Sequence, residues 1–204
     1  MTSLALLETS SFAAEKHRDQ RRKDAFSAPY INHPLEVSRL LAAAGVEDLA
    51  ILQAALLHDT VEDTKTTFEE LEQKFGVSVT NIVKEVTDDK SLPKDQRKRL
   101  QIEHARHGSL GCKLVKLGDK LHNLSSLLVS PPAGWEPERI QGYFVWSKQV
   151  VDAIRGTNAT LEGQLDEVFS SSFTAQGKTW PCLPEGNHEK FLEAYYASMK
   201  RKDD

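Results

Sequence analysis

The segment from Leu49 to Leu57 is apolar in nearly all directions around a helical axis, and only Gln53 interrupts it. It falls far short of the roughly 20 residues that a helix needs to cross a bilayer. A helix that is apolar on all sides must be covered on all sides by other parts of the protein. The segment therefore predicts a helix buried inside a folded core.

The rest of the chain shows the start and stop signals of helices and few signals of strands. β-Branched residues rarely alternate with polar ones, and no Asn-Gly or Asp-Gly pair marks a hairpin turn. His33-Pro34 opens a helix that stops at Gly45, and the capping box Thr66–Glu69 opens another that ends at Gly76. Further helices are expected over residues 4–18, from 48 onward, and over 77–86, 93–104, 109–128, 135–154 and 158–169. The pattern predicts an all-α, multi-helix bundle.

The character of the sequence changes after Phe173. Glycine and proline become frequent, at Gly177, Pro181, Pro184 and Gly186, which is typical of a linker. Residues His188 to Lys200 can form a short amphipathic helix. We therefore expect one domain over residues 1–173 and a C-terminal extension of unknown role over residues 174–204.

Composition argues against several classes of protein. With 26 Lys and Arg against 30 Asp and Glu, the formal net charge is −4, whereas a general nucleic-acid coat protein needs a basic surplus. The two cysteines, Cys112 and Cys182, lack CxxC and zinc-finger spacings, which disfavours a disulfide scaffold or a thiolate metal site. Residues 1–12 lack the features of a secretory signal. We expect a cytoplasmic protein that binds neither a nucleic-acid polymer nor a membrane, and the sequence does not indicate its oligomeric state.

The buried helix runs directly into four ionisable residues. His58 and Asp59 end it, and Glu62 and Asp63 follow four residues later, so the pairs share a face if the helix continues. Burying such groups without partners costs roughly 2–7 kcal/mol each. Two interpretations fit: a helix end that enters a solvated acidic turn, or a metal or catalytic site.

Two other residues are candidates to complete such a site. His33 is either a cap or loop histidine or a ligand. Asp119 lies nearly opposite a leucine stripe formed by Leu114, Leu117, Leu121, Leu124 and Leu128. A simple amphipathic helix would place Asp119 in water, whereas a central helix covered on both sides would bury it as a carboxylate that needs a cation. The helical wheel does not choose between them.

Together, two imidazoles and two carboxylates would suit Mn²⁺, Fe²⁺ or Zn²⁺. Such an ion lowers the pKa of a bound water and polarises a phosphoryl oxygen, while a nearby carboxylate moves protons. Basic residues occur in two groups, at 18–23 and 90–99, and form either solvated faces or a phosphate site. Tyr143 and Arg139, four residues apart, either belong to the core or line a pocket.

These motifs resemble the HD-domain phosphohydrolases of the RelA/SpoT hydrolase type, and in particular their small stand-alone animal members. The resemblance covers roughly residues 4–173. It rests on three segments, Tyr30-Ile31-Asn32-His33-Pro34, Ala54–Asp63 and Val86-Thr87-Asp88-Asp89-Lys90, and on Asp119 within Lys116–Leu124. Gly118 stands where the family usually has alanine before the metal aspartate.

The resemblance implies one Mn²⁺ per chain, with Fe²⁺ and Zn²⁺ ranked behind it, bound by His33, His58, Asp59 and Asp119. It implies removal of the 3′-pyrophosphate of guanosine 3′,5′-bis(diphosphate) (ppGpp), which yields GDP and pyrophosphate and belongs to stringent-response chemistry. Glu62 and Asp63 carry over as the catalytic acidic pair. The implied substrate contacts are Arg22, Lys23, Lys94, Asn123, Arg139 and Tyr143.

Three alternatives accompany that reading. The family's animal members are also similar to NADPH 2′-phosphatases, whose substrate likewise carries a phosphate on a ribose near a purine. A second possibility is an HD phosphohydrolase of another nucleotide. A third is a non-catalytic nucleotide sensor, which Glu62 and Asp63 disfavour because mere binding would not need them.

Overall fold

The structure, a computed structural model, describes residues 2–200. Its helices are α1 (Thr2–Lys16), α2 (Asn32–Ala43), α3 (Leu49–Leu57), α4 (Thr60–Asp63), α5 (Phe68–Val86), α6 (Lys94–His107), α7 (Leu110–Val129), α8 (Pro137–Asp152), α9 (Ala159–Phe169) and α10 (His188–Lys200). One hairpin, β1 (Ser172–Ala175) and β2 (Lys178–Pro181), precedes α10. The predicted helical bundle is confirmed. Over the part of the chain described, none of the helices has the length and apolarity required to cross a membrane.

Helix α3 lies at the centre of the bundle. The Asp48 side chain caps it by accepting hydrogen bonds from the backbone N–H groups of Ala50 and Ile51. Every residue from Ile51 to Leu57 is buried, because α1, α2, α5 and α7 pack around the helix. Its one polar residue, Gln53, donates to Thr9 Oγ1 at 2.8 Å. The expectation of a helix covered on all sides is confirmed.

Helix α7 is a second central helix. Its leucine stripe packs inside the bundle, and its opposite face is also covered, by α2. The close approach occurs at Gly118, where a Cβ would lie only 3.1 Å from Val37 Cγ1 and 3.2 Å from Leu41 Cδ2. The Asp119 side chain is therefore only 18% exposed. Of the two arrangements that the helical wheel allowed, the central helix is the one found.

Several helix ends differ by one to three residues from the predicted positions, and the start of α5 and the end of α1 bear on the argument. The cap of α5 is Thr67 and not Thr66. Thr67 has an extended backbone, and its hydroxyl accepts a hydrogen bond from the backbone N–H of Glu70. Thr66 is buried, and its hydroxyl is hydrogen-bonded to that of Thr64. Gly76, with φ of 84°, breaks α5 where the sequence predicts a stop. Helix α1 ends at Lys16 rather than Arg18, so the first basic group does not lie on it.

The first basic group, at residues 18–23, instead belongs to a loop between α1 and α2 that folds back on itself. Arg22 N–H donates to Ala28 O at 2.8 Å, and Tyr30 N–H donates to Gln20 O at 3.1 Å. These backbone bonds hold the side chains of Gln20, Arg22 and Tyr30 beside one another, ahead of α2.

The hairpin was not predicted from the sequence. Strands β1 and β2 pair antiparallel, with Phe173 opposite Trp180. Gln176 and Gly177 form the turn with φ of 53° and 72°, the conformation that Asn-Gly pairs usually supply. Because only the second position is glycine and the first is glutamine, the usual dipeptide signal is missing. The segment expected as a linker is thus partly a strand.

The C-terminal helix packs on the bundle. Leu192, Tyr195, Tyr196 and Met199 are buried on one face of α10, which lies against α6 and α8. This confirms the predicted amphipathic helix. Phe173 of the hairpin stacks on Phe144 of α8 with ring centroids 6.1 Å apart. The boundary expected at residue 173 stays a prediction.

One glycine allows this close packing, and it gives a stability test. A Cβ at Gly142 of α8 would lie 2.5 Å from Tyr195 Cδ2 and 2.8 Å from Tyr195 Cβ, whereas a Cβ at Gly163 of α9 would meet nothing within 4 Å. We expect Gly142→Ala to lower the free energy of unfolding by about 1–3 kcal/mol through overpacking. We expect Gly163→Ala to raise it by about 0.5–1 kcal/mol through helix propensity. Urea denaturation of both variants checks this, and equal effects would contradict the docking of α10.

Candidate metal centre and adjoining cleft

Three helix segments bring two histidines and two aspartates together. His33 lies in the first turn of α2, His58 and Asp59 lie at the end of α3, and Asp119 lies in the middle of α7. His33 Nε2 is 3.2 Å from both His58 Nε2 and Asp119 Oδ1. Asp59 Oδ2 is 3.0 Å from His58 Nε2 and 3.6 Å from His33 Nε2.

The change of direction between α3 and α4 explains how the side chains of two consecutive residues, His58 and Asp59, reach the same point. Neighbouring side chains diverge by about 100° in a continuous helix. Asp59 instead has φ of −101° and ψ of −2°, which ends α3 and starts α4 in a new direction. Thr60 Oγ1 stabilises the break by donating to Leu57 O at 2.6 Å. His58 and Asp59 therefore converge.

The donor atoms fit a small divalent cation. His33, His58 and Asp119 can each offer one ligand atom, all within 4.8 Å of one another. Atoms bound roughly 2.0–2.2 Å from one ion lie about 3.0–3.6 Å apart at adjacent positions, and His33 Nε2 is 3.2 Å from both His58 Nε2 and Asp119 Oδ1. Asp59 Oδ2 lies 3.0 Å from His58 Nε2 and 3.6 Å from His33 Nε2, and His58 Nε2 lies 3.9 Å from Asp119 Oδ1. The group can hold a metal ion.

Hydrogen bonds behind the imidazoles set which nitrogen faces the centre. His58 Nδ1 lies 2.8 Å from Ala55 O, a carbonyl that can only accept, so Nδ1 carries a proton and Nε2 is the nitrogen that faces Asp59. His33 Nδ1 lies 2.6 Å from His122 Nδ1. Backbone and side-chain partners of this kind orient metal-binding histidines.

The two carboxylates make this centre attractive to positive charge. Burial disfavours a charged His58, but Asp59 and Asp119 outweigh that effect and raise the pKa of His58 to about 9. Although burial opposes it, His58 also holds the pKa of the Asp59 carboxyl below its usual range. Lys120, whose Nζ lies 2.7 Å from Asp119 Oδ2, lowers the pKa of Asp119 likewise. The field that favours a proton on His58 also favours a metal cation.

The acidic pair Glu62 and Asp63 lies at the edge of the centre, on α4. Glu62 Oε2 accepts from the backbone N–H of Asp88 at 3.3 Å, and Glu62 Oε1 lies 3.8 Å from Arg97. Asp63 is held through both oxygens, by Gln20 Nε2 at 3.0 Å and Lys90 Nζ at 2.8 Å. Burial and the charges of Asp88 and Asp59 raise the pKa of Glu62. A carboxylate with a raised pKa is suited to accept a proton near neutral pH.

The centre opens into a cleft with two lobes. The inner lobe, of about 230 Å³, is lined by His33, Asp59, Glu62, Asp63 and Asp119 together with cationic side chains. The outer lobe, of about 370 Å³, is lined by residues 20–24 and by Trp135. Tyr30, Asp63, Asn123 and Tyr143 line both lobes, so the two lie next to each other.

Cations form one wall of the inner lobe. They are Lys94, Arg97 and Lys98 of α6 and Lys120 of α7. The Lys98 ammonium lies 3.5 Å from the centroid of the buried Trp146 ring, and burial and Lys120 lower its pKa to about 7. With the acidic residues opposite, this wall creates a lobe that suits a phosphate group bridging cations and metal.

The residues expected to contact substrate lie in several places. Arg22 and Lys23 line the outer lobe, Lys94 lines the inner lobe, and Asn123 and Tyr143 line both. Arg22 Nη2 donates to Asn123 Oδ1 at 3.0 Å, and Asn123 Nδ2 donates to Asp119 Oδ1 at 2.6 Å. Two hydrogen bonds in series therefore connect the outer lobe to the candidate metal centre. Arg139 lines neither lobe; its guanidinium stacks 4.3 Å from the Trp135 ring.

Sequence reasoning did not single out several residues that line the cleft or lie behind the candidate metal centre. Tyr30, whose hydroxyl donates to Asp59 Oδ2 at 2.6 Å, was quoted only as part of a motif. His122 lies three residues after Asp119 on the same helix face, which is a spacing that could have identified it. Lys98 belongs to the basic group at residues 90–99 and Lys120 to the segment Lys116–Leu124, but their contacts, like those of Gln20, depend on other elements of the fold.

Comparison with known proteins assigns the chain to a family. The HD domain family profile matches residues 9–141. Proteins named guanosine-3′,5′-bis(diphosphate) 3′-pyrophosphohydrolase MESH1 are 61% identical in Xenopus tropicalis and 58% in Homo sapiens, each over 165 residues that cover 80% of this chain and 92% of the relative.

A solved structure agrees with this assignment. It is described as a metazoan ortholog of SpoT that hydrolyzes ppGpp, and it superposes with a TM-score of 0.79 at 55% identity, covering 81% of this chain and 93% of that one. The resemblance inferred from the motifs is therefore confirmed, and this chain belongs to the HD-domain family, where it is closely related to the metazoan MESH1 proteins.

Proposed function

We propose that the protein is a Mn²⁺-dependent ppGpp 3′-pyrophosphohydrolase. The observation that carries the proposal is the inner lobe, where four candidate ligands lie beside an acidic pair and face a cationic wall. The relatives named for this activity share more than half of their residues with this chain over most of their length. A metal site, a proton acceptor and a phosphate-binding wall are the parts that phosphoester hydrolysis requires.

The proposed ligands are His33, His58, Asp59 and Asp119, for one Mn²⁺ per chain. Two nitrogen and two oxygen donors also suit Fe²⁺ and Zn²⁺, which we rank behind Mn²⁺. When bound, the ion would lower the pKa of a water molecule and polarise a phosphoryl oxygen. The hydrogen bonds from His58 to Ala55 and from Asn123 to Asp119 hold these side chains in place for that purpose.

Glu62 and Asp63 are the proposed catalytic pair. The water oxygen forms a bond to the phosphorus next to the ribose 3′ oxygen, the bond between that phosphorus and the 3′ oxygen breaks, and pyrophosphate leaves. Glu62 accepts one proton of the attacking water and later releases it to solvent, while the 3′ oxygen takes a proton from solvent, which leaves GDP. Asp63, held through Gln20 and Lys90, orients the water.

The remaining residues are proposed to bind the nucleotide. Lys94 and the neighbouring cations of the inner lobe would hold the 3′-diphosphate, since charge-assisted contacts to phosphate are strong. Arg22 and Lys23 would contact the guanosine in the outer lobe, between Asn123 and Tyr143. Arg139 would act through Trp135, on which it stacks.

We propose NADPH as a second substrate for the same cleft. Its 2′-phosphate is carried on a ribose next to a purine, so the phosphate would occupy the inner lobe and the adenosine the outer lobe. The same metal ligands and acidic pair would then release inorganic phosphate.

Purified protein with Mn²⁺ tests the proposal. We expect ppGpp to yield GDP and pyrophosphate in equal amounts, and we expect a chelator to stop the reaction and added Mn²⁺ to restore it. The values of kcat/KM for ppGpp and NADPH rank the two substrates. The two reactions can be measured separately because one releases pyrophosphate and the other phosphate. Full activity in metal-stripped protein would overturn the mechanism, and tight ppGpp binding without turnover in Mn²⁺ would support a sensor.

We further propose that residues 1–173 form the hydrolase domain and residues 174–204 an extension. Two observations support this division. The aligned part of the relatives covers 80% of this chain, and the lining residues of both lobes all precede residue 173. Within the extension, α10 packs on α6 and α8, the helices that carry Lys94 and Tyr143.

A further inference from the structure

A third histidine lies directly behind the candidate metal centre. His122 Nδ1 is 2.6 Å from His33 Nδ1, and the two rings meet edge to edge, with centroids 4.9 Å apart and planes 23° from parallel. The opposite ring nitrogen of His33, Nε2, faces Asp119 and His58. His122 therefore contacts the side of His33 that points away from the centre.

The contact between the two Nδ1 atoms holds one proton. Two imidazole nitrogens at 2.6 Å can form a hydrogen bond only if one donates and the other accepts. A His33 ring that binds a metal through Nε2 must carry its proton on Nδ1. His33 is then the donor, and the acceptor is the lone pair of His122 Nδ1.

We propose that His122 is a positioning residue: it accepts the Nδ1–H of His33 and so keeps the Nε2 lone pair of His33 directed at the metal. The inference rests on the proposed function, since it concerns the same centre. His33 is only 1% exposed, so water does not readily replace His122 as its partner.

The fold gives His122 this position through α7. It lies three residues after Asp119, so one helix face presents both the carboxylate that approaches His33 Nε2 and the imidazole that approaches His33 Nδ1. The imidazole of His33 is held between them. One helix thus sets the orientation of the His33 ring, a role that backbone carbonyls or carboxylates have in other metal sites.

Three proteins test the role: wild type, His122→Phe and His122→Asn. Phenylalanine keeps an aromatic ring against His33 and removes the acceptor, whereas the Asn Oδ1 restores an acceptor near the position of Nδ1. We expect His122→Phe to weaken Mn²⁺ binding about 10- to 100-fold. We expect the Kd of His122→Asn for Mn²⁺ to stay within about threefold of the wild-type value, which is a small change compared with the loss expected when the hydrogen-bond partner is removed. The Kd is measured from the electron paramagnetic resonance signal of free Mn²⁺.

A second readout observes the hydrogen bond itself. In ¹⁵N-histidine protein loaded with diamagnetic Zn²⁺, we expect a slowly exchanging proton on His33 Nδ1 and a scalar coupling across the bond to His122 Nδ1. A proton found on His122 Nδ1 instead, or no coupling, would overturn the proposal. This measurement uses the wild type, so it decides the matter even if His122→Phe fails to fold.

The outcomes separate this inference from the proposed function, because neither the Mn²⁺ affinity nor the NMR measurement of the hydrogen bond uses ppGpp. Equal Mn²⁺ affinity of wild type and folded His122→Phe would overturn the role of His122 alone. A wild type that binds Mn²⁺ tightly, shows the coupling and does not hydrolyse ppGpp would support His122 and overturn the proposed reaction.

Discussion

Replacing His58 with alanine is expected to abolish Mn²⁺ binding and ppGpp turnover together. The His58 Nε2 atom lies 3.0 Å from Asp59 Oδ2 and 3.2 Å from His33 Nε2, so its loss removes one of the four proposed ligands from the centre. A metal supplies several kcal/mol of transition-state stabilisation, and each 1.36 kcal/mol is a factor of ten in rate. We expect kcat/KM to fall by at least about 10³-fold on that basis.

His107→Ala is the matched control for this variant. The His107 side chain is 72% exposed and pairs with Glu103 on the same helix, outside both lobes of the cleft. It should keep full Mn²⁺ affinity and full turnover. Thermal unfolding of both variants confirms that they are folded. A folded His58→Ala protein that retained the Mn²⁺ affinity of wild type would refute the ligand set.

Glu62→Gln is expected to keep the metal and lose most of the turnover. Glu62 lies beside the proposed ligands, but its oxygens contact Asp88 N–H and Arg97 instead. Glutamine preserves the size and hydrogen bonding of the side chain and cannot accept a proton. General-base catalysis contributes about 10²- to 10⁴-fold, so kcat should fall by that factor while the Kd for Mn²⁺ changes little.

Glu72→Gln provides the comparison for Glu62. Glu72 is half exposed on α5 and lies 4.0 Å from Lys84, away from the cleft, so its replacement should leave kcat unchanged. Loss of Mn²⁺ in Glu62→Gln would show that Glu62 is a ligand. An unchanged kcat would show that another group accepts the proton.

Local features of the sequence were enough to predict most of the helical framework. Asp48 was expected to begin α3, Gly76 to interrupt the helix after the capping box, and Pro34 to lie in the first turn of α2, and the structure agrees at all three positions. These signals depend on hydrogen bonds and backbone angles within a few residues. The Gln176-Gly177 turn escaped detection because the usual dipeptide is absent, although the backbone conformation is the same.

The site shows where such reasoning stops. His58 and Asp59 were recognisable because charged residues at the end of an all-apolar helix need partners. Asp119 was ambiguous, because a helical wheel shows which residues share a face and not what covers that face. The motif resemblance, rather than periodicity, selected it.

The sequence by itself determined which segments form helices, which helix is buried, and which donor atoms are available to a metal. The tertiary structure alone decided that α2 covers the second face of α7 at Gly118, that His122 lies behind His33, and that α10 packs on α8 at Gly142. The reason is physical. Helix periodicity and caps arise from contacts within a few residues, whereas burial of Asp119 and the partners of His33 arise from contacts between segments far apart in the chain.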